Sequence, residues 1–165
     1  MGNLKKIINV YTDGSCNPVY KTGGWAAILI LDEKEILLEG KELNTTHNRM
    51  ELISVIKALE YIENTNIEGY KIIINSDSQY VVKLVDRKEK LLANMFFTKN
   101  GNLIRNKDLV EKIFSYIDKM KIDFVKVRAH QKKSHLRNYN RDVDKISRKI
   151  VRENVKNIKV TKNEN

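Results

Sequence analysis

Cysteine is almost absent: Cys16 stands alone in 165 residues, so no internal disulfide can form, and no CxxC pair or Cys/His cluster points to a zinc site. That usage suits a reducing compartment, and a cytoplasmic location is expected. Proline is equally scarce, with Pro18 the single copy, and no Gly/Ser-rich stretch or internal repeat divides the chain. One domain is therefore expected over residues 1–157, followed by a polar tail over residues 158–165, with fraying from Lys156 onward. Long apolar runs are missing too. None approaches the roughly 18 residues of a membrane span, and the first nine residues lack the apolar stretch of a leader. A soluble, untargeted monomer with no membrane partner is the expectation.

What the chain has in plenty is positive charge. Lysine and arginine number 31 against 21 acids, for a net charge of +10. Such a surface favours a polyanionic partner, nucleic acid first; charge alone leaves open a basic surface kept for solubility or suited to an anionic membrane. The 41% hydrophobic content is enough for one core.

Residues 7–12 alternate in a β-rich run that meets Asp13-Gly14-Ser15, which reads as a strand ending in a turn with Asp13 at its C-terminal end. Apolar runs at 25–31 and 35–43, split by Asp32-Glu33-Lys34, extend this into an antiparallel meander. From Asn48 the period becomes helical through Leu52, Val55, Ile56, Leu59 and Ile62, which places Glu51 in a first turn. Ile72-Ile73-Ile74 has the continuous apolar character of a buried central strand, ending at Asp77. One helix over 79–92, a second carrying Leu109, Val110, Ile113, Phe114 and Ile117, a strand at 122–128 and a last helix with Asp144 near its start complete the chain. The order β-β-β-α-β-α-α-β-α predicts a mixed α/β sheet flanked by helices. Acids at strand ends and helix starts can converge in the crevice beyond such a sheet.

Singly, each acid has an ordinary explanation, since Asp suits turns and acids suit helix N-termini. Their surroundings are more specific: Tyr11-Thr12-Asp13-Gly14-Ser15-Cys16, Asn48-Arg49-Met50-Glu51-Leu52, Asn75-Ser76-Asp77-Ser78-Gln79-Tyr80-Val81, Val127-Arg128-Ala129-His130 and Asn140-Arg141-Asp142-Val143-Asp144. In order and separation these segments resemble the signature blocks of type 1 ribonuclease H, across most of the chain. The resemblance implies the ribonuclease H-like fold, a five-stranded mixed sheet of three antiparallel strands and then parallel additions, flanked by helices. It also implies an endonuclease that hydrolyses the RNA strand of RNA–DNA hybrids with two Mg²⁺ ions, Mn²⁺ being an alternative, leaving 5′-phosphate and 3′-hydroxyl ends.

By the same resemblance, Asp13, Glu51, Asp77 and Asp144 would hold the metal, Asp13 bridging both ions, and His130 would move protons or assist product release. Crowded carboxylates repel one another until cations neutralise them, and hard oxygen ligands suit Mg²⁺. Cys16, Asn17, Asn48 and Gln79 match positions that read the hybrid's sugars, while Thr46 and Asn106 match those that grip a DNA phosphate. The chain departs from its relatives at His47 and Asn44, at the turn from Asn17 to Thr22, and in a long basic stretch before Asp144. The segment from Lys83 to Lys90 stands where many relatives carry a basic protrusion, but Asp86 and Glu89 dilute it, so a solvated helix face remains an alternative. Rival readings are a hybrid-binding module without catalysis, another nuclease of the wider superfamily, or the ribonuclease H domain of a reverse transcriptase.

Overall fold

The computed structural model describes residues 6–129 and 135–163. His130, Lys132 and Lys133 lie outside them. Three strands, β1 (Ile7–Asn17), β2 (Thr22–Leu31) and β3 (Lys34–Leu43), form the antiparallel meander, followed by α1 (His47–Asn64) and β4 (Lys71–Ser76). Then come α2 (Gln79–Val82), α3 (Leu84–Ala93), α4 (Lys107–Lys119), β5 (Ile122–Lys126) and α5 (Tyr139–Asn163). The sheet order is β3-β2-β1-β4-β5, with β4 and β5 added in parallel beside β1.

Side chains alternate across a strand, so each face of this sheet collects its own set of residues. Ile8 and Val10 of β1, Ala27 and Leu29 of β2, and Ile72 and Ile74 of β4 share one core with the apolar side of α1 and α4. On the opposite face Ala26 and Ile28 meet Val143 of α5, joined by Tyr11, Tyr139 and Ile146. That two-sided cover explains why β2 is buried along most of its length. At Gly24 a Cβ would stand 2.6 Å from the Ser147 carbonyl oxygen, so the missing side chain is what lets α5 settle against the strand. Leu59, fully buried in the larger core, gives a simple test of packing. Leu59→Ala should cost about 2–5 kcal/mol, read as a lower urea midpoint at unchanged slope.

Three expectations are corrected. Asp13 lies within β1 rather than at its end, because Asp13 to Asn17 stay paired with β2 despite the turn-forming Asp-Gly-Ser. The parallel pairing of β1 with β4, however, stops at Tyr11, so Asp13 does stand just past the end of the parallel part of the sheet. The single helix expected over residues 79–92 is two, breaking at Lys83, whose N–H bonds back to the Gln79 carbonyl and closes α2. Finally, the segment expected to fray from Lys156 continues α5 as helix through Asn163. Its Ile158 is half-buried and lines a shallow cavity with Leu43, which a polar composition conceals.

Candidate active site

Period-two alternation puts Asp13 on the same face as Tyr11, toward α5, and there the Ser147 hydroxyl donates to its carboxylate. Glu51 comes from the first turns of α1, a helix that Thr46 caps by accepting the Arg49 N–H at 3.3 Å. Asp77 follows the last residue of β4, and Asp144 lies in the second turn of α5. All four line one cavity of about 240 Å³ together with Gly14, Ser15, His47, Ala129 and Arg148. Thus four acids spread over more than 130 residues meet where the parallel strands end, the usual place for a site in such sheets.

Each acid has a donor. Glu51 accepts from the Ser78 hydroxyl at 2.5 Å and lies 3.1 Å from His47 Nε2. Ser78 also caps α2 by accepting the Val81 N–H, so one side chain ties the start of α2 to the acid of α1. Asp77 accepts from the Asn140 amide at 3.4 Å, and Asp144 from Arg148 Nε at 2.7 Å. Burial raises the Asp13 carboxyl to about 7; the Ser147 hydrogen bond opposes that rise, while the charges of Asp77, Asp144 and Glu51 add to it. The His47 imidazole is raised chiefly by its hydrogen bond to Glu51.

Among the described residues no three acidic, His or Cys side chains stand ready-arrayed around a cation position. Their oxygens accept from Ser147, Ser78, Asn140 and Arg148. The donor set nevertheless fits a hard divalent cation: the oxygens come from one cleft, and the repulsion felt at Asp13 is of the kind a bound cation relieves. In these hydrogen bonds Asp13, Asp77 and Asp144 each use one carboxylate oxygen, which leaves the other to face a cation.

The expected substrate-contact residues fall into two groups. Thr46 and Asn106, sixty residues apart, meet around Arg49, whose backbone N–H bonds Thr46 and whose guanidinium donates to Asn106 Oδ1 at 3.4 Å. Asn106 holds a left-handed backbone, φ 60°, at the start of α4, and its amide reaches the Tyr80 hydroxyl. The second group lies around the cleft: Asn48 and Gln79 are exposed at the starts of α1 and α2. The Cys16 thiol donates to the Thr45 carbonyl at 3.5 Å, and Asn17 Oδ1 accepts the N–H groups of Val19 and Tyr20. Neither the role of Arg49 nor those of Ser78, Ser147 and Arg148 had been read from the sequence. The i,i+4 spacing of Asp144 and Arg148 was the available signal for one of these roles.

A β3-β2-β1-β4-β5 sheet with an acid on its first strand, another after its fourth, and two more on the flanking helices defines a ribonuclease H-like protein. The chain belongs to the RNase H family, whose family model matches residues 5–152. It is 36% identical over 144 residues to a Ribonuclease HI of Xylella fastidiosa, covering 87% of this chain and 91% of that one. With a Ribonuclease H of Caldicellulosiruptor saccharolyticus it shares 31% identity over 152 residues, covering 91% and 99%. Among solved structures it resembles a type 1 RNase H with the type 2 active-site motif, at TM-score 0.71 and 20% identity, covering 92% and 74%. It also resembles LC11-RNase H1, solved in complex with RNA/DNA hybrid, at TM-score 0.66 and 16% identity, covering 90% and 99%.

Proposed function

We infer that this protein is an endonuclease that hydrolyses the RNA strand of RNA–DNA hybrids in a metal-dependent reaction. The observation that carries the reading is the meeting of Asp13, Glu51, Asp77 and Asp144 in one cleft, close enough that three of them raise the fourth. Family membership and the hybrid bound to LC11-RNase H1 support the substrate class.

The four acids would hold Mg²⁺, with Mn²⁺ as substitute; when bound, such ions activate water and neutralise charge on the transferring phosphoryl group. The protein's own side chains do the rest. Burial keeps Asp13 poorly hydrated, so its charge acts undiluted on whatever enters the cleft. Arg148 sits at the cleft wall, where its charge favours a phosphate while its Nε fixes Asp144. Arg49, whose guanidinium is paired with Asp108 at 2.9 and 3.0 Å, ties Thr46 and Asn106 together as a polar platform for the other strand's backbone. Asn17 has its carbonyl oxygen occupied by the turn, which leaves its amide N–H groups for a ribose or base edge. Because the 2′-hydroxyl distinguishes RNA from DNA, short polar groups such as Asn17, Asn48 and Gln79 are suited to that discrimination. His130 is proposed, from its motif, to shuttle protons.

The test is to offer labelled RNA–DNA hybrid, duplex RNA, duplex DNA and single strands in parallel with Mg²⁺. Selective cutting of RNA in the hybrid, leaving 5′-phosphate ends, is expected; comparable cutting of duplex DNA would defeat the assignment. A second outcome concerns the platform. Arg49→Gln should raise KM several-fold with kcat nearly unchanged, because the contact is made equally in ground and transition states.

A further inference from the structure

The longest helix carries charge that the cleft does not use. After Asp144, α5 bears seven basic side chains against one acid, Glu153. Arg148 lines the cleft, and Arg152, Lys159 and Lys162 follow it by four, eleven and fourteen residues. At 3.6 residues per turn these positions return to nearly the same side of the helix, with Lys156 adjoining, so a single row of cations starts at the cleft wall. The buried residues Val143, Ser147, Val151 and Asn154 centre about a third of a turn round the helix from the row, whose side chains are all exposed.

The end of the row lies at the tip of the β1–β2 hairpin. Lys159 and Lys162 both stand over the ring of Tyr20, their Nζ atoms 5.9 and 5.6 Å from its centroid. Tyr20 is held there by its N–H bond to Asn17, one of the residues expected to contact substrate. Among the described residues, Arg152, Lys156, Lys159 and Lys162 have no carboxylate partner, in contrast to Lys88 of α3, which is bound to Asp118. Two ammonium groups gathered on one ring repel each other, and an anion between them would relieve that. By contrast, α3 carries Asp86 and Glu89 among its basic residues, so the segment expected to act as a basic ridge is the weaker candidate.

We propose that the basic row of α5, from Arg152 to Lys162 and ending on Tyr20, is a backbone-binding ridge that holds duplex nucleic acid beyond the scissile phosphate. The proposal rests on the hybrid-cleaving reading of the cleft and extends its footprint. From Arg148 to Lys162 the helix advances about 21 Å at roughly 1.5 Å per residue, which spans about 6 base pairs at a rise near 3.4 Å. Charge complementarity selects the phosphates. Contacts made by such a row of exposed side chains add affinity without sequence preference.

The test compares wild-type protein with an R152Q/K156Q/K159Q/K162Q variant on two labelled hybrids, one of about 10 base pairs and one of about 24, the longer reaching past a 6-base-pair ridge. The substitutions are all at the surface, and circular dichroism checks the helix. Wild type should bind the long hybrid more tightly than the short one, with a steeper dependence of log affinity on log salt by about 2 to 4. The variant should lose that difference, at least tenfold in affinity for the long hybrid at low salt, while cutting the short one at the wild-type rate. A charge-preserving R152K/K156R/K159R/K162R variant should retain it. Equal salt slopes for the two lengths in wild type, which need no variant to measure, would overturn the proposal. So would loss of binding to phosphatidylserine vesicles with hybrid affinity unchanged, since that result assigns the row to a membrane. If wild type binds both hybrids but cuts neither, the cleavage reading fails while the length dependence still decides the ridge.

Discussion

Asp13→Asn should abolish Mg²⁺-dependent cleavage of hybrid and, in the absence of metal, make the protein more stable at neutral pH and above. The first effect follows from removing a charged oxygen donor at the centre of the cluster. Losing several kcal/mol of charge stabilisation in the transition state slows turnover by roughly 10³-fold or more. The second follows from the carboxyl's own surroundings. Burial, with the charges of Asp77, Asp144 and Glu51, raises Asp13 to about 7 from an ordinary value of 3.8. The folded protein therefore holds this proton more tightly than the unfolded chain does. Whatever stability that proton confers is fully present below pH 4 and is lost as pH rises through 7. Above that point the ionised side chain disfavours folding by about 4 kcal/mol in the metal-free state. An amide carries no charge to be buried, so Asp13→Asn should raise the metal-free Tm by roughly 5 °C or more at pH 8 and by much less at pH 4. Mg²⁺ should raise the wild-type Tm and leave that of the variant nearly unchanged. Differential scanning calorimetry at the two pH values, with and without Mg²⁺, reads all of these. A variant less stable than wild type at pH 8 without metal would contradict the repulsion argued for the cluster.

Gly14→Ala should be nearly as damaging to activity, and through packing alone. Gly14 follows Asp13 on β1 and points to the opposite face, toward α1. A Cβ there would stand 2.3 Å from the Glu51 backbone nitrogen and 2.3 Å from the Met50 carbonyl carbon. Both are main-chain atoms of a helix whose Met50 and Leu52 are fully buried, so no side chain can swing aside. The methyl group must push α1 away from β1, at a cost of about 1–3 kcal/mol or more for overpacking. That displacement separates Asp13 from Glu51. Since an error of about 1 Å can cost on the order of a hundredfold, the expected result is a folded protein with a lowered Tm and turnover reduced at least that much. Circular dichroism melting beside the cleavage assay checks it. Wild-type turnover in Gly14→Ala would show that the spacing of strand and helix is not what sets the site.

Why the sequence revealed some of this and hid the rest can be seen at particular residues. Ile72 and Ile74 and the helical spacing from Leu52 to Ile62 report burial directly, because periodicity is imposed by the core they face. The acids were marked by their neighbours: Gly14 after Asp13 provides the close approach, and Ser78 after Asp77 provides both a helix cap and a donor to Glu51. The continuation of β1 through Asp13 was hidden because turn preference is local, whereas the pairing of Asp13 with Ala26 is a tertiary fact. The helical end of α5 was hidden likewise, since its polar composition gives no sign that Ile158 is half-buried and lines a cavity with Leu43 of β3. The donors that hold the carboxylates, Ser147 to Asp13 and Asn140 to Asp77, join residues too far apart for any spacing rule.

The central claim, that Asp13, Glu51, Asp77 and Asp144 act as one cation-dependent centre, is tested most directly by Mg²⁺-dependent turnover of labelled hybrid in the four single variants Asp13→Asn, Glu51→Gln, Asp77→Asn and Asp144→Asn. Each should fold, and each should fall far below wild type at every Mg²⁺ concentration that saturates the unaltered protein. Undiminished turnover in any of the first three would remove that carboxylate from the centre and contradict the account.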